Sequence, residues 1–181
     1  MKEQFTFFWN GPFSQWYKCA ILIDDVLYNC CEQFMMSQKA LQFNDKDSHR
    51  KIMSSDDPSY HKIYGRKVKN FDVDMWNECA KDIVYKGNYA KFTQNPKLKK
   101  ILLATIGTTL VEASPYDKIW GIGLSKDDPK AKDRNTWQGT NWLGEILTKV
   151  RDDIITAPPK APTIKNSFSV FYADFKANKN A

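Results

Sequence analysis

The sequence has little with which to build a metal site. Its four cysteines, Cys19, Cys30, Cys31 and Cys79, form no CxxC pair, and its two histidines, His49 and His61, lie apart from them in the chain. Zinc ligands come at close, regular spacing, so no zinc centre is expected, and no other metal or cofactor is implied. Long apolar runs are missing too: the longest aliphatic stretch, residues 101–104, falls far short of the roughly 20 residues that span a bilayer. The opening MKEQFTFFW is polar and aromatic and lacks the apolar centre of a secretory signal. A membrane partner is therefore not expected, and a reducing, cytoplasmic location is the default reading.

Several catalytic signatures are absent as well. There is no Gly-x-Ser-x-Gly elbow, no Walker loop, no HExxH and no dinucleotide GxGxxG between a strand and a helix. Charge is also a weak signal. The excess is +6, but Lys160, Lys165, Lys176 and Lys179 against Asp174 put +3 of it after residue 155, leaving the body at +3. Solubility alone accounts for such a value, so charge does not mark a dedicated nucleic-acid binder. What the chain does have is aromatic mass, 14% of residues within a hydrophobic share of 42%, which excludes a disordered polyelectrolyte. One globular domain fits a length of 181 residues.

Periodicity gives the elements. Residues 4–9 and 20–28 read as strands, the second turning back at Asp24 and Asp25, which predicts a small antiparallel sheet near the N-terminus. A helix is expected from Cys31 to about Phe43, with Glu32 in its first turn. Asp57 followed by Pro58 is a cap-and-proline start for a short helix that Gly65 would stop. Behind Asp72, the residues Trp76, Cys79, Ala80, Ile83 and Val84 form the stripe of a helix with one buried face, continued by Gly87, Ala90 and Lys91. Asn95 and Pro96 start another helix, residues 108–112 read as a strand, residues 126–134 as a charged loop, and Leu143, Leu147, Val150 and Ile154 mark a last helix entered near Asn141. Three prolines, Pro158, Pro159 and Pro162, then separate off an extension.

The stretch LVEASPYDKIWGIGL, residues 110–124, is the densest in chemistry-bearing types, with Glu112, Asp117 and Trp120 ahead of Gly121-Ile122-Gly123. Glycines on both sides of one residue permit close backbone approach or a positive φ. A second cluster, WQGTNWLG at residues 137–144, leads into a helix start, where Asn141 can cap the helix or its free N–H groups can meet an anion. Glu32 gains from a helix dipole wherever it sits in a first turn, Trp76 belongs to an apolar stripe, and Lys91 on the same stripe reads as a stem along the apolar surface with its ammonium reaching water. Carboxylates with indoles suit the cleavage of a sugar bond to a flat base, the carboxylates for an oxocarbenium-like state and the indoles for stacking.

The ordered segments FSQW, NCCEQFMMSQKAL, GRKV, MWNECAKDIV, YAKFTQNPKLKKILLATIG, LVEASPYDKIWGIGL and WQGTNWLGEILTKVR resemble the NADAR (YbiA-like) family over about residues 5–153. The resemblance implies a single compact α+β domain, predominantly helical, over residues 1–155, with residues 156–181 as an extension. It implies hydrolysis of an N-glycosidic bond, either of phosphorylated riboflavin-pathway intermediates or of ADP-ribose attached to guanine in DNA. The partner would then be a nucleotide-like small molecule or ADP-ribosylated DNA. By motif position it points to Glu32, Lys91 and Asp117 for catalysis and to Trp76, Trp120 and Gly121 for substrate binding, and Asn141 and Arg66 are further substrate-binding candidates. A lysine beside the anomeric carbon can also form a Schiff base with an opened sugar. The rival reading is a module that binds ADP-ribose or another nucleotide without turnover. The sequence departs from the family pattern at Gln33, where a histidine is common, at Ile122, where an acid is frequent, and at FSQW in place of an FSNF-like element.

Overall fold

A computed structural model describes residues 3–156. The expected extension from residue 157 onward lies outside the described residues. Among the described residues, two small sheets and six α-helices make up the fold. Strand β1 (Phe5–Phe8) pairs in parallel with β4 (Thr109–Glu112), Phe8 standing opposite Glu112. Strands β2 (Ile21–Ile23) and β3 (Val26–Tyr28) form the predicted antiparallel hairpin. Its turn is the expected one: Asp24 and Asp25 have φ of 50° and 62°, the left-handed pair that matches strand twist in a two-residue hairpin. β1 does not join that hairpin, because its partner lies about a hundred residues further on, and a strand pattern carries no information about partners.

Helix α1 (Cys31–Gln42) is capped by the Cys30 sulfur, which accepts from the Gln33 N–H. Helix α3 (Pro58–Arg66) starts as its Asp57-Pro58 signal predicts, with the Asp57 carboxylate accepting from the Ser59 N–H at 2.9 Å. It runs through Gly65 rather than stopping there. That glycine is needed for packing, since a Cβ would collide with the Met36 sulfur of α1. The long helix α4 (Val73–Gln94) is capped by Asp72 and buries the predicted stripe of Trp76, Ala80, Ile83, Val84, Gly87 and Ala90. Helices α5 (Pro96–Leu103) and α6 (Trp142–Thr156) complete the core against it.

Helix α2 (Lys46–Met53) has no counterpart in the periodicity reading, because KDSHRKIM buries only Ser48 and Ile52. Its start is nonetheless firm, with buried Asp45 accepting from the Ser48 N–H at 3.1 Å and the Lys69 N–H at 2.9 Å. Asn95 stands at the head of α5, but its amide donates to the Lys91 and Ala20 carbonyls instead of capping. The charged segment after residue 125 coils into two short 3₁₀ turns, pinned by the Trp137 indole N–H donating to the Ala131 carbonyl at 2.8 Å. None of the helices among the described residues is long and apolar enough to cross a membrane.

Candidate active site

The parallel pairing of β1 and β4 sets Phe8 beside Glu112 at the ends of the two strands, and Glu112 lies near enough to Glu32 of α1 for their charges to interact. Glu32 is the second residue of α1 and is only 7% exposed. Its N–H donates to the Gln15 carbonyl at 3.0 Å, and the Trp16 indole lies close enough to favour the ionised carboxylate. Burial raises the Glu32 carboxyl to about 7, although Lys62 and Arg66 of α3 act to lower it; the charge of Asp117 adds to the rise. The dipole at a helix start favours an anion by about 0.3–1 kcal/mol, so here desolvation outweighs it.

Glu112 closes β4. Burial lifts its carboxyl to about 8, with Asp117 and then Glu32 adding repulsion and Lys62 opposing. Its Oε2 is buried and meets no hydrogen-bond partner in the protein. Glu32, Glu112 and Asp117, carboxylates from three separate elements, thus lie near enough for their charges to act on one another, with Lys62 and Arg66 as nearby cations.

The loop that carries Asp117 is held by its own backbone. Asp117 Oδ1 accepts from the N–H groups of Ile119 and Trp120, at 2.9 and 2.8 Å, and the Asp117 carbonyl accepts from Gly123 at 3.0 Å. Gly121 is needed because a Cβ would lie 2.8 Å from the Glu112 carbonyl and 3.0 Å from that of Asp117. The close approach that the glycine pair suggested is thus between loop and strand, and only Gly123, at φ 68°, uses the left-handed region. Trp120 is half-buried and meets Trp142 edge-on, ring centroids 5.6 Å apart.

Asn141 is fully buried. Its Oδ1 accepts from the Glu112 N–H at 2.9 Å and its Nδ2 donates to the Leu110 carbonyl at 3.0 Å, so its amide is engaged with β4 and fixes the strand that presents Glu112. Trp76 is buried in α4. The Lys39 ammonium lies 5.8 Å from its ring and 3.8 Å from that of Phe71, and Lys39 in turn feels the charges of Arg66 and Glu32, so Trp76 is linked to the carboxylates only through Lys39. Arg66 itself is exposed at the end of α3.

Lys91 does not snorkel. It is 0% exposed, and Nζ donates to the Ser14 carbonyl at 2.8 Å. Burial lowers its pKa, and the groups that act against this are the thiols of Cys31, Cys19 and Cys30. It sits beneath the turn that carries Trp16 to Glu32. The sequence separation of cysteine and histidine also proves misleading, since Cys30 Sγ lies 3.6 Å from His61 Nδ1. Burial pushes that thiol up to about 11, so the pair is a hydrogen bond under α1 and not a nucleophile. No group of three His, Cys, Asp or Glu among the described residues is arranged to hold a metal ion.

Sequence reasoning gave no role to Glu112, Lys62 or Trp16. Glu112 was visible as one of the two acids of its stretch, but only the pairing with β1 shows where the end of that strand lies. A separate groove of about 670 Å³ runs between α4 and α6 past Lys81, Tyr85, Trp142 and Lys149, and none of the three carboxylates lines it.

Fold and site together define a mostly helical α+β domain with three interacting carboxylates gathered near the end of a parallel strand pair. Residues 7–155 match the model of the NADAR domain, and the chain belongs to that family. It is 42% identical over 131 residues to Protein irg-1 of Caenorhabditis elegans, covering 71% of this chain and 62% of that protein. It is 46% identical over 126 residues to N-glycosidase R617 of Acanthamoeba polyphaga mimivirus, covering 70% and 74%. The NMR structure of Escherichia coli YbiA has the same fold, with a TM-score of 0.71 at 23% identity over 92% of this chain and 94% of that one.

Proposed function

We propose that the chain hydrolyses the N-glycosidic bond between a phosphate-bearing ribose, as ADP-ribose or ribose phosphate, and a nitrogenous base. The observation that carries this reading is the convergence of Glu32, Glu112 and Asp117 beside an indole and two cations, a set suited to a cationic sugar transition state next to a flat leaving group and a phosphate. The name of the mimivirus relative supports the same reaction class.

In this mechanism the Glu32 carboxylate takes a proton from water while the water oxygen bonds to the anomeric carbon. Its negative charge also favours the oxocarbenium-like state as the bond to the base stretches. Trp16 orients Glu32, Trp120 and Trp76 bound the base, and Arg66 with Lys62 receives phosphate. Lys91 supports the site from below through the Ser14 turn. Asp117 orients the ribose while its other oxygen holds the loop. The substrate is a nucleotide-like small molecule or ADP-ribosylated guanine in DNA, and the four free thiols fit a reducing cytoplasm.

The test is base release from an oligonucleotide bearing ADP-ribosylated guanine, beside release from a phosphoribosyl-aminopyrimidine, with wild type and Glu32→Gln. The expected result is turnover of at least one by wild type and of neither by the variant. A protein that either compound protects against heat, yet from which no base is released, is a binding module and overturns the reading.

A further inference from the structure

Hydrolysis of an N-glycoside needs two proton transfers, one from water and one to the departing base. Glu32 serves the first. Asp117 is poorly placed to serve the second, since its Oδ1 is already the acceptor for two backbone N–H groups.

Glu112 has the opposite surroundings. Its main chain is fixed on every side: the N–H donates to Asn141, the carbonyl accepts from the Ile122 N–H at 2.9 Å, Phe8 stands in register, and the next residue, Ala113, donates to the Phe8 carbonyl at 2.7 Å. These bonds hold the strand end in place. Yet Oε2 is buried without a hydrogen-bond partner. A buried anionic oxygen with no donor is strongly disfavoured, whereas a neutral acid tolerates the same place and carries a proton to give. The charged groups that face it are Asp117 from the site loop, Glu32 from α1 and Lys62 from α3, two anions against one cation. Glu32, by contrast, has two cations, Lys62 and Arg66, and the nearby Trp16 indole, all of which favour its anion. Two interacting carboxyl groups in unlike surroundings divide into an acid and a base.

We propose that Glu112 is the proton donor to the departing base. The inference rests on the N-glycosidase reading above. As the bond from the anomeric carbon to nitrogen breaks, its electron pair goes to the base, and the Glu112 O–H proton passes to a base nitrogen. The water oxygen bonds to the anomeric carbon and its proton passes to Glu32. The products are the free base and the sugar hemiacetal. Glu32 is then protonated and Glu112 ionised, and return of one proton from Glu32 to Glu112 through solvent restores the starting state.

The experiment holds the sugar constant and varies the leaving group. Within each of two pairs, one base must gain a proton to leave and the other is already cationic: ADP-ribosylated guanine in an oligonucleotide against NAD⁺, and phosphoribosyl-aminopyrimidine against nicotinamide mononucleotide. Glu112→Gln is expected to slow the first member of a pair by about 10²–10⁴-fold, the usual range for general-acid assistance, and the cationic member by less than about tenfold. Glu32→Gln is expected to slow both. Equal losses on both members in Glu112→Gln, or no loss on either, overturn the proposal. A wild type that releases base from none of the four overturns the N-glycosidase reading instead.

A second measurement needs only one active substrate. With a base that must gain a proton, wild-type kcat/KM is expected to fall above about pH 8 as Glu112 loses its proton, and this limb is expected to vanish in Glu112→Gln. A wild-type profile that stays level to pH 10 while the enzyme remains folded refutes the donor role.

Discussion

Glu32→Gln is the substitution in which the catalytic and structural accounts of one residue give opposite signs. Holding the carboxyl near 7 instead of its ordinary 4.5 means that the folded state disfavours the anion by about 3 kcal/mol, at roughly 1.36 kcal/mol per tenfold. A carboxyl raised by folding contributes its stability fully below the unfolded value and loses it as pH rises through the folded one. The wild type therefore gives up stability between about pH 4.5 and 7, and the uncharged amide does not. Against this gain stands the loss of the helix-start interaction, about 0.3–1 kcal/mol. The net expectation at pH 8 is a variant more stable by about 2–3 kcal/mol, or about 4–12 °C in melting temperature for a domain of this size. At pH 4.5 the two proteins should melt together.

Turnover should move the other way. Loss of the base is expected to cost about 10²–10⁴ in kcat. Urea unfolding and single-turnover base release, both run at pH 5 and pH 8, read the two effects. A variant less stable than wild type at pH 8, or a stability difference that does not change with pH, refutes the argument that Glu32 is buried at a cost. Near-normal cleavage removes it from the mechanism.

Three further outcomes are expected. Trp120→Ala should raise KM by tenfold or more, since base stacking is worth about 1–3 kcal/mol, and should also lower stability by about 0.5–1.5 kcal/mol through the lost edge contact with Trp142; a melting shift with unchanged KM assigns the indole to packing alone. Gly121→Ala should destabilise by about 1–3 kcal/mol, because its Cβ would press on the main-chain carbonyls of Glu112 and Asp117, which have no flexible end to yield; a melt like that of wild type refutes this. Removal of residues 157–181 should leave a folded, active domain, and thermal melts with base release check it, an insoluble or inactive truncation showing that the extension completes the fold or the site.

Much of the architecture was legible because local chemistry declares it. The Asp57-Pro58 start, the Asp72 cap and the Trp76 stripe each act within a few residues, and each appears where the sequence puts it. Helix α2 was not legible, since its stability comes from packing against α1 and α3 and not from an apolar stripe of its own. The pairing of β1 with β4 was not legible either, and with it went the surroundings of Glu112, which are made by chain segments far away in sequence. Asn141 shows the same limit from another side. A helix-start asparagine usually bonds its own helix, and only the presence of Leu110 and Glu112 beside it explains why this one, at φ 54°, turns its amide to the strand. Lys91 sat on an apolar stripe where exposure of the ammonium is the rule, and the Ser14 carbonyl that lets it stay buried is 77 positions away.

The two single-residue departures from the family pattern acquire a physical meaning in this arrangement. Ile122 is 0% exposed and packs with Val111, Ala113, Leu124 and Ala131 in a small core beneath the site loop, so an acid there in this chain would be buried among aliphatic side chains. Gln33 accepts from the Asn29 N–H at 2.8 Å and donates to the carbonyls of Ile52 and Ser55, both at 3.2 Å, which ties the start of α1 to the end of α2 and the segment after it. A histidine ring has two nitrogens at fixed angles and cannot make all three of these bonds at once. Both positions therefore serve the frame, one under the loop that carries Asp117 and one under the helix that carries Glu32. In the proposed mechanism, proton transfer then falls to the carboxyl groups of Glu32 and Glu112, which this frame carries on the start of α1 and the end of β4.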